Sequence, residues 1–356
     1  MKQRRRHDFY EKEHTFYFMK KFLFKLFIVL SSALLLFILI FFTGSFDELV
    51  HIVKNAKAVW LAAGFGCMIA YWVIDASILH ILALAMLERQ PLKDSIRVTM
   101  IGQFFNAITP LSGAGQPVQA YVMVKDGVKP GHAASIIIVK TVLHQFVIVL
   151  YSIAAFVFKG SYFAANIPQF YYFFILGLLV NTAFLILYLL FLFNRQTAKR
   201  VLVFIFKVLR KLKFLKKLDK AEKKMDSELN SFCEGASILC NRRSLIIKLT
   251  VMQVLQFTFM FAIPYFIQLA VEKHGASLFN MLAAQSMITL ISLLVPTPGA
   301  TGGFEGLSYL FYGLFFTKAF IIPVILIYRV LTYYSSAIIG GLFTLLAPEK
   351  PLKRQM

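Results

Sequence analysis

Charge is scarce in this sequence, and acid scarcest of all: 15% of the 356 residues are charged, with 17 acids against 38 lysines and arginines. That poverty, with 59% hydrophobic residues, excludes an ordinary soluble domain, where apolar usage is roughly 45 to 50%. The mean hydropathy of +0.71 says the same. Cysteine is nearly missing too. Cys67, Cys233 and Cys240 give no disulfide framework, and no histidine stands at zinc-ligand spacing from them, so reduced, unpaired thiols are expected. The sequence lacks a nucleophile elbow, a Walker loop, an HExxH run and a paired-cysteine site. No catalytic residue, metal or cofactor is therefore expected.

What the sequence has is apolar runs of membrane length. They fall at about 22–43, 59–86, 132–158, 170–193, 244–270 and 319–346, each long enough to cross a hydrocarbon core of about 30 Å as a helix. The first follows a basic start, as a signal peptide would. It exceeds the roughly 7 to 15 residues of a signal core and no A-x-A-like site follows, so it reads as a retained helix. The net charge of +21 sits between these runs, in residues 1–21, in a central segment at about 195–243 and in the tail 347–356. Such clustering points away from nucleic acid and toward cytoplasmic placement of all three segments beside anionic inner-leaflet lipid. Six crossings then return the C-terminus to the inside with the N-terminus. The central segment is amphipathic: Val201, Phe204, Ile205, Val208 and Leu212 share one face, and Lys207, Arg210, Lys211 and Lys213 another. It is expected in the headgroup layer.

Two further apolar stretches, about 99–121 and 278–317, are broken in the middle by proline and glycine. Their arms are short for spanning, and they read as re-entrant hairpins. They also match each other. "ITPLSGAGQPVQAYVM" aligns with "PTPGATGGFEGLSYLF" at a constant offset of 188, pairing Thr109 with Thr297, Pro110 with Pro298, Gly115 with Gly303 and Tyr121 with Tyr309. The same offset relates the spanning runs on either side, so the halves at about 59–158 and 244–346 each read as helix, hairpin, helix. Counted through the crossings, the second half is inverted. The expected fold is an all-α polytopic membrane protein, one integral domain over 22–346, with about six spanning helices and two re-entrant hairpins in an inverted repeat. Broken helices at matching places in inverted halves are the sequence mark of alternating-access transport sites.

A break at membrane depth frees backbone groups that lipid cannot satisfy, which implies a polar cavity. The half-helix after each break is expected to offer open N–H groups and a positive dipole end to an anion. Candidate binding residues are therefore Thr109, Pro110, Gly113 and Gly115 in the first hairpin, and Thr297, Pro298, Gly299, Gly302, Gly303 and Glu305 in the second. Ionisable residues inside the spans add Lys140 with His144 one turn away, and Arg329. Lys140 follows Thr109 by 31 residues and Arg329 follows Thr297 by 32, so each hairpin is followed by one buried cation. They read either as counter-ions for a phosphate or as partners in internal salt bridges with Glu305 or Asp75. Gln145, Gln253, Gln256 and Gln285 read as interhelical hydrogen-bonding residues or as lining of a polar path.

The "TPLSGAGQ" and "VPTPGATGGFEG" hairpins resemble the transmembrane region of lysylphosphatidylglycerol synthases, also called multiple peptide resistance factors, over about residues 20–346. Glu305 and the glycines around it match the family motif, and Thr301 departs from it. The resemblance implies a flippase-like domain that moves aminoacylated phosphatidylglycerol between leaflets, while a separate cytosolic domain makes the lysyl lipid. The chain stops ten residues after its last apolar run, so that domain is not expected, and a lysyltransferase label would belong to two-part relatives. The expected function is translocation of an anionic or aminoacylated phospholipid across a bacterial cytoplasmic membrane. Alternatives are the membrane part of a lysyltransferase system conferring resistance to cationic peptides, working beside a separate lipid-modifying enzyme, and a transporter of small organic anions.

Overall fold

The structure is a computed structural model, and it describes residues 54–200, 203, 218–271 and 275–346. The expected first crossing at 22–43, most of the basic face of the central segment and the tail lie outside the described residues.

Helices α1 (Ala58–Leu84), α4 (Pro130–Asn166), α5 (Phe170–Phe193), α7 (Arg243–Val271) and the continuous rod Lys318–Leu345 are the five described helices long and apolar enough to cross a membrane. The rod comprises α10 (Lys318–Arg329), a π-helical turn (Val330–Tyr334) and α11 (Ser335–Leu345). Between the spans lie the two hairpins, α2 (Leu92–Ile108) with α3 (Gly115–Lys125), and α8 (Leu278–Ser292) with α9 (Gly303–Tyr312). At 1.5 Å per residue, α3, α8 and α9 reach about 17, 23 and 15 Å, short of a full crossing. One further helix, α6 (Leu218–Cys240), stands between the halves. The described residues contain no strand.

Local chemistry sets the boundaries. Pro130 begins α4 at a position where its missing N–H costs nothing, and Pro168 blocks helix after Asn166. No breaker intervenes, so α4 continues beyond the end near 158 that hydropathy alone suggests. Only Phe170, Phe174, Gly177, Asn181 and Leu192 of α5 are buried, which leaves most of that apolar helix facing outward.

The halves are inverted. Lys57 N donates to Ala270 O at 3.0 Å, the Trp60 ring stacks 6.3 Å from Phe266, and Gly64 faces Phe266 and Ile263. Partners on α7 thus run backward as α1 runs forward, and these are the leading helices of the two repeats. Each hairpin is held by the closing span of the opposite half: α2 packs on α11, and α8 on α4. Contact on the first side is close enough that a Cβ at Gly340 would lie 2.4 Å from Met100 O. On the second, Ser152 of α4 donates to Ser286 O at 3.5 Å, and Asn181 of the neighbouring α5 donates to Leu290 O at 2.9 Å. At the end of α4 nearest the central segment, Gly131 N donates to Glu228 of α6 at 2.9 Å, and a Cβ at Gly131 would lie 2.4 Å from Glu228 O. The three cysteines are free, as expected, and burial raises the Cys240 thiol above its ordinary pKa.

Candidate functional site

The breaks of the two hairpins meet. Pro110 and Pro298 form an isolated antiparallel bridge, and they are the same position of the repeat. An antiparallel contact between equivalent residues places the pseudo-twofold axis between them. The turns agree in detail. After each proline two residues take left-handed backbone: Leu111 (φ 55°) and Ser112 (φ 51°) in the first, Gly299 (φ 60°) and Ala300 (φ 53°) in the second. Gly113 N donates to Pro110 O at 3.1 Å and Thr301 N to Pro298 O at 3.2 Å. Two successive positive φ values closed by that bond are the pattern of a type I′ turn.

Glycine does not supply the left-handed backbone of the first turn. Gly113 and Gly115 are not left-handed there, and Leu111 and Ser112 carry the strain instead. Non-glycine residues in this region cost roughly 1–2 kcal/mol each and collect at functional sites. Gly115 answers a packing demand, since a Cβ on it would lie 2.0 Å from Asn106 Oδ1, and Gly303 answers one from Val295 at 2.2 Å. Gly302 (φ 89°) is left-handed, as a glycine beside a helix start can be.

At the half-helix starts, where open anion cradles are expected, some of the donors already have partners. Ala114 N donates to Thr109 Oγ1 at 3.2 Å and Gly115 N to Asn106 Oδ1 at 3.0 Å. In the second hairpin Gly302 N donates to Glu305 Oε2 at 2.7 Å, and Thr297 Oγ1 donates to Thr301 O at 2.9 Å. Donors exposed in a break within hydrocarbon must find protein partners, and here the chain supplies its own.

Both expected cations are buried and paired. Lys140 Nζ lies 2.8 Å from Asp75 Oδ1, and Asp75 Oδ2 accepts from Gln103 at 3.2 Å. Arg329 Nε donates to Glu305 Oε1 at 2.7 Å, and Nη1 donates to Gly299 O at 2.9 Å. Its guanidinium lies 4.2 Å from the centre of the Phe304 ring and 5.3 Å from that of Tyr333. Counted from the helix starts, Lys140 is about 15 Å along α4 and Arg329 about 17 Å along α10, so the two cations stand at similar places in their spans. The cations are nearly symmetric, but the acids are not. Asp75 belongs to a span and Glu305 to a hairpin, and their repeat equivalents are Ile263 and Pro117.

Other predicted polar residues divide. Gln145 donates to Asn181, and Gln285 bonds Tyr328 and Tyr312, so both act as interhelical links. Gln253 donates to Gln256 within α7, while Gln253 Oε1 and Gln256 Nε2 are buried without hydrogen-bond partners. His144 is half-buried with its ring 4.9 Å from that of Phe257. Sequence reasoning missed Asn106, Gln103 and Tyr333. Tyr333 donates to Ala107 O at 3.0 Å and covers Gly299, tying both turns together. Nothing in an aromatic-rich run such as "YRVLTYY" singles it out.

Comparison with known proteins agrees with this architecture. The chain is 25% identical over 305 residues to a UPF0104 membrane protein of Archaeoglobus fulgidus, covering 82% of this chain and 87% of the relative. Residues 23–340 match the family described as the lysylphosphatidylglycerol synthase TM region. With paired re-entrant hairpins, a buried ion pair in each half and a family match that includes both, the chain belongs to the lysylphosphatidylglycerol synthase TM region family.

Proposed function

We propose that the protein is a translocase that passes the phosphate headgroup of a membrane lipid, anionic or aminoacylated, between the leaflets of a bacterial cytoplasmic membrane. The observation that carries this reading is the meeting of two strained turns on the pseudo-twofold axis, with a buried ion pair in each half. Two packings of such halves, exchanged by symmetry, would open the site to one leaflet and then the other. A headgroup would exchange with the acids on Lys140 and Arg329 while its acyl chains stay in lipid. Tyr121 and Tyr309, equivalent in the repeat and both exposed, flank such a lateral path with amphipathic rings. In this reading both termini face the cytoplasm, because basic segments favour that side. No bond-making step is assigned to this chain; aminoacylation of the lipid would belong to a separate enzyme.

The test is movement of fluorescent phosphatidylglycerol in proteoliposomes, read by dithionite quenching. Asp75→Asn with Lys140→Gln, and Glu305→Gln with Arg329→Gln, remove each ion pair without leaving a lone buried charge. Each double variant is expected to slow movement at least about tenfold, equivalent to about 1.4 kcal/mol. Wild-type rates in both would sink the proposal.

A further inference from the structure

We propose that Glu305 is a proton-coupled counter-ion: a lipid phosphate replaces it on Arg329, and the displaced carboxylate takes up one proton. This rests on the translocase reading and concerns what drives the same site.

The first support is charge balance. Each of the two buried cations already has a carboxylate, Lys140 with Asp75 at 2.8 Å and Arg329 with Glu305 at 2.7 Å. The phosphodiester monoanion of a lipid that carries no amine, added to that neutral set, would leave one net negative charge in a low-dielectric interior, which is heavily penalised. One proton on Glu305 restores neutrality. An O–H bond forms on the oxygen that faced Nε of Arg329, and that nitrogen turns to a phosphate oxygen. The proton comes from the aqueous phase, and no covalent bond of the lipid changes.

The second is that Arg329 is prepared for the exchange. It is 5% exposed, and its Nη2 is buried without a hydrogen-bond partner. With Nε released, two N–H groups face one anion in the fork geometry that suits phosphate.

The third is which acid can leave. Asp75 is held by both Lys140 and Gln103 and is 4% exposed. Glu305 stands at the mouth of the turn beside exposed Gly302 and keeps the Gly302 N–H when Arg329 departs. The other ionisable side chains around it are Arg329, with which it pairs, and Tyr328 and Tyr333 of the same rod. In the opposite half the Asp75–Lys140 pair is closed, and His144 packs on Phe257 of α7.

The experiment titrates the purified protein in maltoside detergent with dihexanoyl-phosphatidylglycerol at pH 5 to 8 in weak buffer, recording binding and proton uptake together. The expected result is one proton taken up per lipid bound, and affinity that weakens by up to about tenfold per pH unit above the coupled titration. Glu305→Gln is expected to abolish uptake and pH dependence while binding at pH 8 at least as tightly as wild type. Binding without proton uptake, or pH dependence that persists in Glu305→Gln, overturns the coupling and leaves the translocase reading standing. No binding at any pH overturns both. Should the variant not fold, the wild-type proton count decides alone.

Discussion

Arg329 concentrates more of the site's chemistry than any other described residue. Its guanidinium joins a hairpin carboxylate, a turn carbonyl and two aromatic faces. Removing Glu305 alone would strip the counter-charge from a buried cation, a change that costs about 3–5 kcal/mol where nothing replaces it. The paired double variants avoid that ambiguity. The turn residues give a second prediction at this scale. A Cβ at Gly299 would lie 2.3 Å from the Tyr333 ring, in backbone with φ 60°. Gly299→Ala is therefore expected to lower the thermal unfolding midpoint, by at least the roughly 1–2 kcal/mol of left-handed strain. Ala300→Gly, at φ 53°, is expected to be neutral or stabilising, since it removes that strain. An equal loss in both would show that the left-handed turn is not retained in solution.

Among the elements, the contact of α4 with α6 is the one most open to test. Gly131 is required where α6 crosses, because its Cβ would meet Glu228 O at 2.4 Å. Gly131→Ala is expected to loosen α6 and raise its amide hydrogen exchange, while protection in α7 stays unchanged. Uniform loss of protection would contradict a local contact. At this scale much was legible in the sequence. The spans follow from apolar length, and the two hairpins from proline and glycine recurring 188 residues apart. The extension of α4 to Asn166 was not, because hydropathy falls before the helix does and only Pro168 stops it. The left-handed turn at Leu111 and Ser112 was also hidden. Neither residue favours that backbone, so the conformation is imposed by the opposing hairpin rather than by local preference. Nor could spacing reveal that Lys140 takes its acid from a span and Arg329 from a hairpin, since side-chain partners across a repeat leave no periodic trace.

The described residues hold two inverted halves, whose strained turns meet. The α1–α7 pairing and the exchange of hairpins between closing spans assemble the buried apolar clusters, and the strained turns meet on the axis between them. The proposed transport requires two arrangements of these contacts, exchanged by the pseudo-twofold. If lipid moves by separation of the halves at that axis, joining them must stop it. The Pro110 and Pro298 backbones pair as neighbouring strands do, at Cα separations of roughly 4.5–5.5 Å, within disulfide reach. The decisive measurement is lipid movement by Pro110→Cys/Pro298→Cys, in a background without Cys67, Cys233 and Cys240. Oxidation is expected to cross-link the turns and halt movement of labelled phosphatidylglycerol, and reduction to restore it. Undiminished movement by the cross-linked protein would contradict transport through the axis.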